Sequence, residues 1–573
     1  MLKRFRANLI FFFFVFLTTV FIGKLYLLQI KDYGKYKALA KSQHYSSVSL
    51  SARRGDIYTS DNYPLALTET RFLLFAEPKK VSDATMYAKN IADNLESDTE
   101  KRVELELDIK DKLSSDLFWI SLKKGLTEEQ KVKIESLEFE GIGFEEEFVR
   151  YYPENVLASH ILGFIGSDKE GILRGYFGVE GYYDGELKGI EGIIFQEKDA
   201  LGFPIAVGDY KKIVPKNGRG LVLTIDRAIQ FIIEEKLKTE VKKYDAKSGT
   251  VIVVEPQTGK IISMVNFPNF NLYLPFDNED EQDLMGENIR NKAIADTYEP
   301  GSVIKALTMS AAIDLGKVSP FTTYMDDGPK SFSGHIVDNW DGKHHGLETM
   351  VSILQHSNNL GAAWVGTTVG AKSLREYFIN FGFGTKLGID LEGEDTGIIR
   401  ELSDWRDIDI ATASFGQGIS ATPLQVVMAF SAIVNNGNLM QPFVVEKIVD
   451  ERGKVVTEFK PKLVRKVISE KTSETMVDML TAAVSGGESS FFISKKYTVA
   501  GKTGTAQIPV AGSYDPNKTN ATFVGFLPKS KKFVMLVKLE EPKASIYASE
   551  TAVPVWMDIA ESLAAYYRTP PDK

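Results

Sequence analysis

The segment Tyr298-Glu-Pro-Gly-Ser302-Val-Ile-Lys305 holds a hydroxyl and an amine three residues apart. Pro300 and Gly301 make a turn, and Val303–Leu315 then reads as helix. Ser302 is thereby placed at or near a helix N-terminus, with Lys305 on the same face. The helix end favours developing negative charge. A hydroxyl is a poor nucleophile until a base removes its proton, and a partly buried lysine of lowered pKa can do that. Taken alone, the segment reads as well as a serine cap followed by a solvated lysine. The chain also contains Ser121-Leu-Lys-Lys124, with identical spacing, so one motif proves little.

Order is more informative. Ser357-Asn358-Asn359 follows Ser302 by 55 residues, and Lys502-Thr503-Gly504-Thr505 follows Ser357 by 145. Ser357 comes after a helical stretch, Leu347–Gln355. Lys502 comes after Tyr497-Thr-Val-Ala500, an edge-strand pattern, and Gly501 and Gly504 would permit a substrate backbone to approach closely. This ordered set resembles the Ser-x-x-Lys, Ser-x-Asn, Lys-Thr-Gly triple of penicillin-binding proteins and serine β-lactamases. Ser60-Asp-Asn62 and Lys247-Ser-Gly249 mimic its second and third elements but stand in the wrong order.

The resemblance covers nearly the whole chain. Ala52-Arg-Arg54-Gly55-Asp-Ile57 with Leu65-Ala66, Arg150-Tyr-Tyr-Pro153, His160-Ile-Leu-Gly163 and Gly178-Val-Glu180-Gly181 look like the membrane-proximal domain of class B penicillin-binding proteins. Glu255-Pro-Gln-Thr-Gly259, Phe415-Gly-Gln417-Gly418 with Thr422-Pro-Leu-Gln425, and Ala521-Thr-Phe523-Val-Gly525-Phe526 look like the transpeptidase domain. One departure is Tyr63, where many members carry glycine in a turn.

The resemblance implies roles. Ser302 would attack the carbonyl of a D-Ala-D-Ala stem peptide and form an acyl-enzyme, and Lys305 would accept its proton. Ser357 would relay a proton to the leaving D-Ala. Asn359 would hold Lys305 or the substrate amide. Lys502 would orient the substrate carboxylate, with Thr503 and Thr505 donating hydrogen bonds beside Gly504. The backbone N–H groups of Ser302 and Thr505 would form the oxyanion hole. Gln417 and Gly418 would shape the pocket wall. The amine of a neighbouring stem peptide would then displace Ser302 and make a cross-link, and β-lactams would be covalent inhibitors. No cofactor is implied. His344-His345 are adjacent rather than on one helix face, so no metal site is expected. His335, Asp338 and Trp340, between the first two motifs, read as structural residues of a loop that could rim the cleft.

The elements that must position these groups can be sketched. Leu221–Asp226 reads as a strand ending in a helix cap, Ala228–Tyr244 as helix, and Gly249–Glu255 and Lys260–Val265 as strands about the turn Pro256-Gln-Thr-Gly259. Thr522–Leu527 and Phe533–Leu539 read as strands, and Pro423–Val434 as helix. Strands at both ends with helices between predict an α+β transpeptidase domain over residues 216–573, its antiparallel sheet closed by distant parts of the chain. Residues 31–215 are expected to form an extended α+β pedestal (dimerisation) domain. Val81–Leu95, Glu104–Leu113 and Thr127–Ile134 read as its amphipathic helices, and the glycine-rich Gly163–Gly192 as loops and turns.

The first thirty residues are biased differently. Lys3, Arg4 and Arg6 precede an uncharged run from Ala7 to Gly23, and Leu25–Ile30 is apolar again except for Gln29. A span needs roughly 20 apolar residues, and Lys24 can snorkel. The bulky Lys24–Gln29 stretch offers no small-residue cleavage site, so an uncleaved anchor over 9–30 is expected, with a cytoplasmic tail of 1–8. The catalytic domain would then lie outside the bacterial cytoplasmic membrane. The 573-residue chain carries a net charge of −9 and no cysteine, which disfavours a nucleic-acid binder and excludes disulfides and thiolate chemistry.

Among family activities, a secreted β-lactamase would not need the membrane-proximal domain, and a penicillin sensor would need signalling segments. No glycosyltransferase domain precedes the catalytic one, so the resemblance implies a partner, a SEDS-type membrane glycosyltransferase. Glu299-Pro-Gly-Ser302 and Ser357-Asn-Asn359 look more like the division type than the elongation type. A catalytically silent regulator of the polymerase is the alternative from another class, and the intact triple argues against it.

Overall fold

Alternation along the strands builds the main sheet. In Ser248–Val254, Val251 and Val253 enter one apolar core while Ile252 and Val254 enter another. In Val534–Glu540, Met535, Val537 and Leu539 face the first core, and Val534 and Leu536 the second. A sheet buried on both faces needs a helical layer on each. The computed structural model, which describes residues 2–169, 172–197, 210–273, 286–510 and 513–573, supplies both.

Five antiparallel strands lie in the order Ile261–Phe267, Ser248–Val254, Val534–Glu540, Ser513–Phe526, Ala500–Val510. Helices Arg227–Lys243 and Ala552–Tyr566 cover one face, with Ile229, Ile233, Leu237, Trp556, Ile559 and Leu563 all fully buried. The helices Ile304–Asp314 and Pro423–Val434 fill the other core, and every residue of the latter is buried. Caps set where helices begin. Asp226 accepts from Ile229 N, and Thr422 and Gln425 form a reciprocal capping box ahead of Pro423. Tyr497–Val499 lies outside the third-motif strand, which starts at Ala500.

A second sheet runs Val455–Glu458, Val445–Val449, Gly220–Leu223, Ile57–Tyr58, Pro64–Ala76, with Ile120–Leu126 and Ile142–Tyr151 both paired to the last. Residues 54–188 and 219–573 thus make one unit. A buried charge cluster sits in it. Glu180, fully buried, receives Arg54 Nε at 2.7 Å and Arg150 Nε at 2.8 Å, while Arg54 Nη1 reaches Asp184 at 2.7 Å. The Gly163–Gly192 stretch is more ordered than its glycines suggest. It contains the hairpin Phe164–Ser167/Leu173–Tyr176 and the short helices Gly178–Tyr182 and Asp184–Leu187. At the departure noted above, Asn62 takes the left-handed conformation (φ 62°), and the Tyr63 ring lies under the Arg227 guanidinium.

The other unit comprises residues up to Arg53 and Gly189–Gly218. It holds the helix Leu2–Tyr26, continued by a π-turn to Lys31, and the strands Tyr45–Leu50, Gly192–Glu197 and Tyr210–Ile213 in one antiparallel sheet. Arg4–Lys31 is long and apolar enough to cross a membrane, and its most apolar stretch buries nothing against the protein.

Candidate active site

Three segments converge on one cleft. Ser302 lies in a 3₁₀ turn, Gly301–Val303, that runs into the helix Ile304–Asp314. The turn is pinned from outside. Gly301 N donates to Gly416 O at 3.1 Å, and Tyr298 exchanges backbone hydrogen bonds with Ala421. Gly416 is glycine of necessity, because a Cβ there would lie 2.1 Å from Gly301 O.

Lys305, one turn on, is buried, and its Nζ donates to Ser357 O, to Asn359 Oδ1 at 2.8 Å and to Ser357 Oγ at 3.2 Å. Of the two roles expected of Asn359, holding Lys305 or the substrate amide, the first has a hydrogen bond here. The Lys305 ammonium is directed at Ser357 and Asn359 and makes no hydrogen bond to Ser302 in this state. Such bonds often tighten only on substrate binding.

Ser357 sits between the helices Met350–Gln355 and Asn359–Val369, with a left-handed φ of 52°. A non-glycine residue keeps that conformation only if its surroundings impose it. Here they do. Asn358 caps the following helix through Gly361 N, and its amide donates to buried Asp326 at 2.7 Å and to Glu348 at 2.5 Å. His356 Nδ1 meets the other oxygen of Glu348, and Asn359 N donates to Asn339. His345, Glu348 and His356 each bring a ligand atom within 4.8 Å of the others, a convergence that their sequence positions did not suggest. These groups brace the Ser357 loop.

Lys502, Thr503 and Thr505 lie on the edge strand of the main sheet. Lys502 Nζ donates to Ser357 Oγ and Thr503 Oγ1, both at 3.0 Å, so the Ser357 hydroxyl bridges two buried lysines. Burial and the charge of Lys502 hold the Lys305 ammonium well below the ordinary lysine range. Burial brings Lys502 down to about 8, and the Glu488 carboxylate opposes that fall.

The cleft encloses about 360 Å³ and is lined by Ser302, Ser357, Asn359, Thr503, Thr505 and Gln417 from the predicted set. Lys305 and Lys502 lie beneath it. Gly418 is set back from the lining and donates its N–H to Glu299. The two strand glycines make room for the protein's own backbone. A Cβ on Gly504 would lie 2.7 Å from Pro300 O, and one on Gly501 would lie 2.4 Å from Val524 O. Asp338 and Trp340 both line the cleft, in keeping with a loop between the first two motifs that rims it. Trp340 packs edge-on against Tyr547 on the opposite wall, at 5.6 Å. His335 is not among the lining residues. Phe415, which opens the Phe415–Gly418 motif, lines the cleft as well, and so do Tyr547 and Glu488, which were not singled out in the sequence.

A turn-borne serine, two buried lysines sharing one hydroxyl, and an edge strand free to pair with an extended peptide suit acyl transfer. The penicillin-binding protein transpeptidase family matches residues 249–561, and the penicillin-binding protein dimerisation domain matches 49–223. The chain belongs to the class B penicillin-binding proteins, which join these two domains. It is 33% identical to stage V sporulation protein D of Bacillus subtilis over 91% of this chain and 79% of that one. It is 28% identical to the peptidoglycan D,D-transpeptidase FtsI of Escherichia coli over 91% and 85%. In fold it resembles penicillin-binding protein 2X of Streptococcus thermophilus, with a TM-score of 0.77, 24% identity, and coverage of 92% and 81%.

Proposed function

We propose that this protein is a peptidoglycan D,D-transpeptidase that works through a Ser302 acyl-enzyme. Lys305 in its neutral form takes the Ser302 proton, and Ser357, between the two lysines, passes one to the departing D-Ala. Lys502 as a cation, with Thr503 and Thr505, holds the donor carboxylate. Thr505 Oγ1 already accepts from Ala548 N, which leaves its own proton to donate. The Ser302 and Thr505 backbone N–H groups receive the oxyanion. A stem-peptide amine then takes the acyl group. The observation that carries this reading is the Ser357 hydroxyl within 3.2 Å of Lys305 and 3.0 Å of Lys502 in the cleft that Ser302 lines.

The test is labelling of the full-length protein by a fluorescent penicillin. Label is expected on the unmutated chain and absent from Ser302→Ala at equal folded fraction. An unlabelled parent protein overturns the proposal.

Residues 4–31 would anchor the chain in the cytoplasmic membrane with the N-terminus inside. A SEDS-type glycosyltransferase would supply the glycan strands. Septal synthesis is the working assignment, supported by the likeness to FtsI. The identity to a sporulation protein favours a second reading, wall synthesis during spore formation. A fluorescent fusion separates them: midcell in dividing cells supports the first, appearance only in sporulating cells the second.

A further inference from the structure

The cleft contains a carboxylate for which the reading above has no use. Glu488 follows Gly486 and Gly487 at the end of the helix Glu470–Gly486, and it lines the same cavity as Ser302, Ser357 and Thr503. Its Oε1 is buried and accepts no hydrogen bond. The two lysines whose charges it feels spend their donors elsewhere, Lys305 on Ser357 and Asn359, Lys502 on Ser357 and Thr503. A carboxylate offers about four acceptor positions, and leaving them unfilled in a partly buried site is costly.

The complement of such a group is a cation with N–H donors. The donor peptide is not that complement, because the end it brings to Lys502 is itself a carboxylate. The second substrate is. A primary amine is protonated at neutral pH and carries three donors. Near Ser302 it meets the Lys502 cation, and like charges a few ångströms apart repel strongly in a water-poor cleft. We propose that Glu488 binds the incoming acceptor amine as its ammonium ion and so favours aminolysis of the acyl-enzyme over hydrolysis.

This inference rests on the acyl-enzyme reading. In the step it serves, the ammonium gives up two protons. One goes by way of neutral Lys305 to Ser302 Oγ, and the other passes to solvent. The C–N bond forms as the C–Oγ bond breaks. Glu488 stays a carboxylate throughout and takes up neither proton. Asp338, the other carboxylate lining the cleft, is 40% exposed and meets the amine nearer water.

The experiment uses the full-length protein in detergent, a thioester donor peptide, and either D-alaninamide or methanol as acceptor. The ratio of transfer product to hydrolysis product reports one acyl-enzyme and is independent of how fast it forms. Glu488→Gln is expected to lower the amide-to-acid ratio about ten- to a hundredfold, the worth of one charge-assisted hydrogen bond. The ester-to-acid ratio with methanol should move less than about twofold. Glu488→Asp, which keeps the charge, should restore part of the amine preference.

An amine ratio unchanged in Glu488→Gln, or both ratios falling together, overturns the inference. If Glu488→Gln does not fold, the unmutated protein decides. Its preference for amine over methanol must weaken as salt is raised, and equal salt responses overturn the proposal. Failure of the unmutated protein to form any acyl-enzyme counts instead against the reading on which the inference rests.

Discussion

At the residue scale the cleft depends on two lysines in different protonation states. Lys305 acts as a base only when neutral, and burial together with the Lys502 charge favours that state by holding its pKa well below the ordinary lysine range. Lys502 binds a carboxylate only when charged, and it loses that charge as pH rises through about 8. Acylation by a carboxylate-bearing penicillin should therefore climb as Lys305 deprotonates and decline above about pH 8. Lys502→Ala should acylate more slowly and lack the alkaline decline, while its melting temperature changes little. A rate profile flat into the ordinary lysine range would contradict the role given to Lys502. The six polar residues of the triple were legible in the sequence because their order and separations match a known pattern. Glu488 and Tyr547 were not, because nothing near them in the chain shows that folding brings them to Ser302.

At the scale of elements, spacing acquires meaning only from the conformation beneath it. Ser121 and Lys124 have the spacing of Ser302 and Lys305, but they lie on the strand Ile120–Leu126, where residues three apart point to opposite faces. The helix Ile304–Asp314 puts the same spacing on one side. Capping positions such as Asp226 and Thr422 were readable for a similar reason, since a side chain that satisfies free N–H groups marks a boundary. The tight approach of the edge strand to the serine turn was not readable, because it is a contact between residues 204 apart in the chain, Pro300 and Gly504. It makes a prediction. Gly504→Ala would press a methyl group against Pro300 O and Val303 and cost about 1–3 kcal/mol. Penicillin acylation should fall by about tenfold or more, with only a small loss of Tm, because the strain is applied where the nucleophile is held. An acylation loss no larger than the folding loss would argue against that placement.

At the scale of the molecule, the Arg54–Glu180–Arg150 cluster draws on three distant segments, and these are the segments whose resemblance had no assigned purpose in the sequence. Glu180→Gln would take the counter-charge from the buried Arg150 guanidinium and one of two from Arg54, which keeps Asp184. A loss of about 3–5 kcal/mol in urea unfolding is expected. A change within the range of a surface substitution would show the cluster to be dispensable. The Arg4–Lys31 helix carries the other prediction at this scale: deletion of residues 2–31 should move the protein from the membrane fraction to the soluble one.

The main sheet has a consequence in time as well as in space. Ser248 bonds to Glu540 across 292 residues, and the strand bearing Lys502 joins the sheet only through Ser513–Phe526. Contacts of such sequence separation form late, after the intervening chain has been made and delivered. A nascent chain that has emerged through Lys305 and Ser357 owns a serine and a base but no wall to receive a substrate. Penicillin reactivity should therefore switch on only when the last strands dock, which would make it a reporter of completed synthesis.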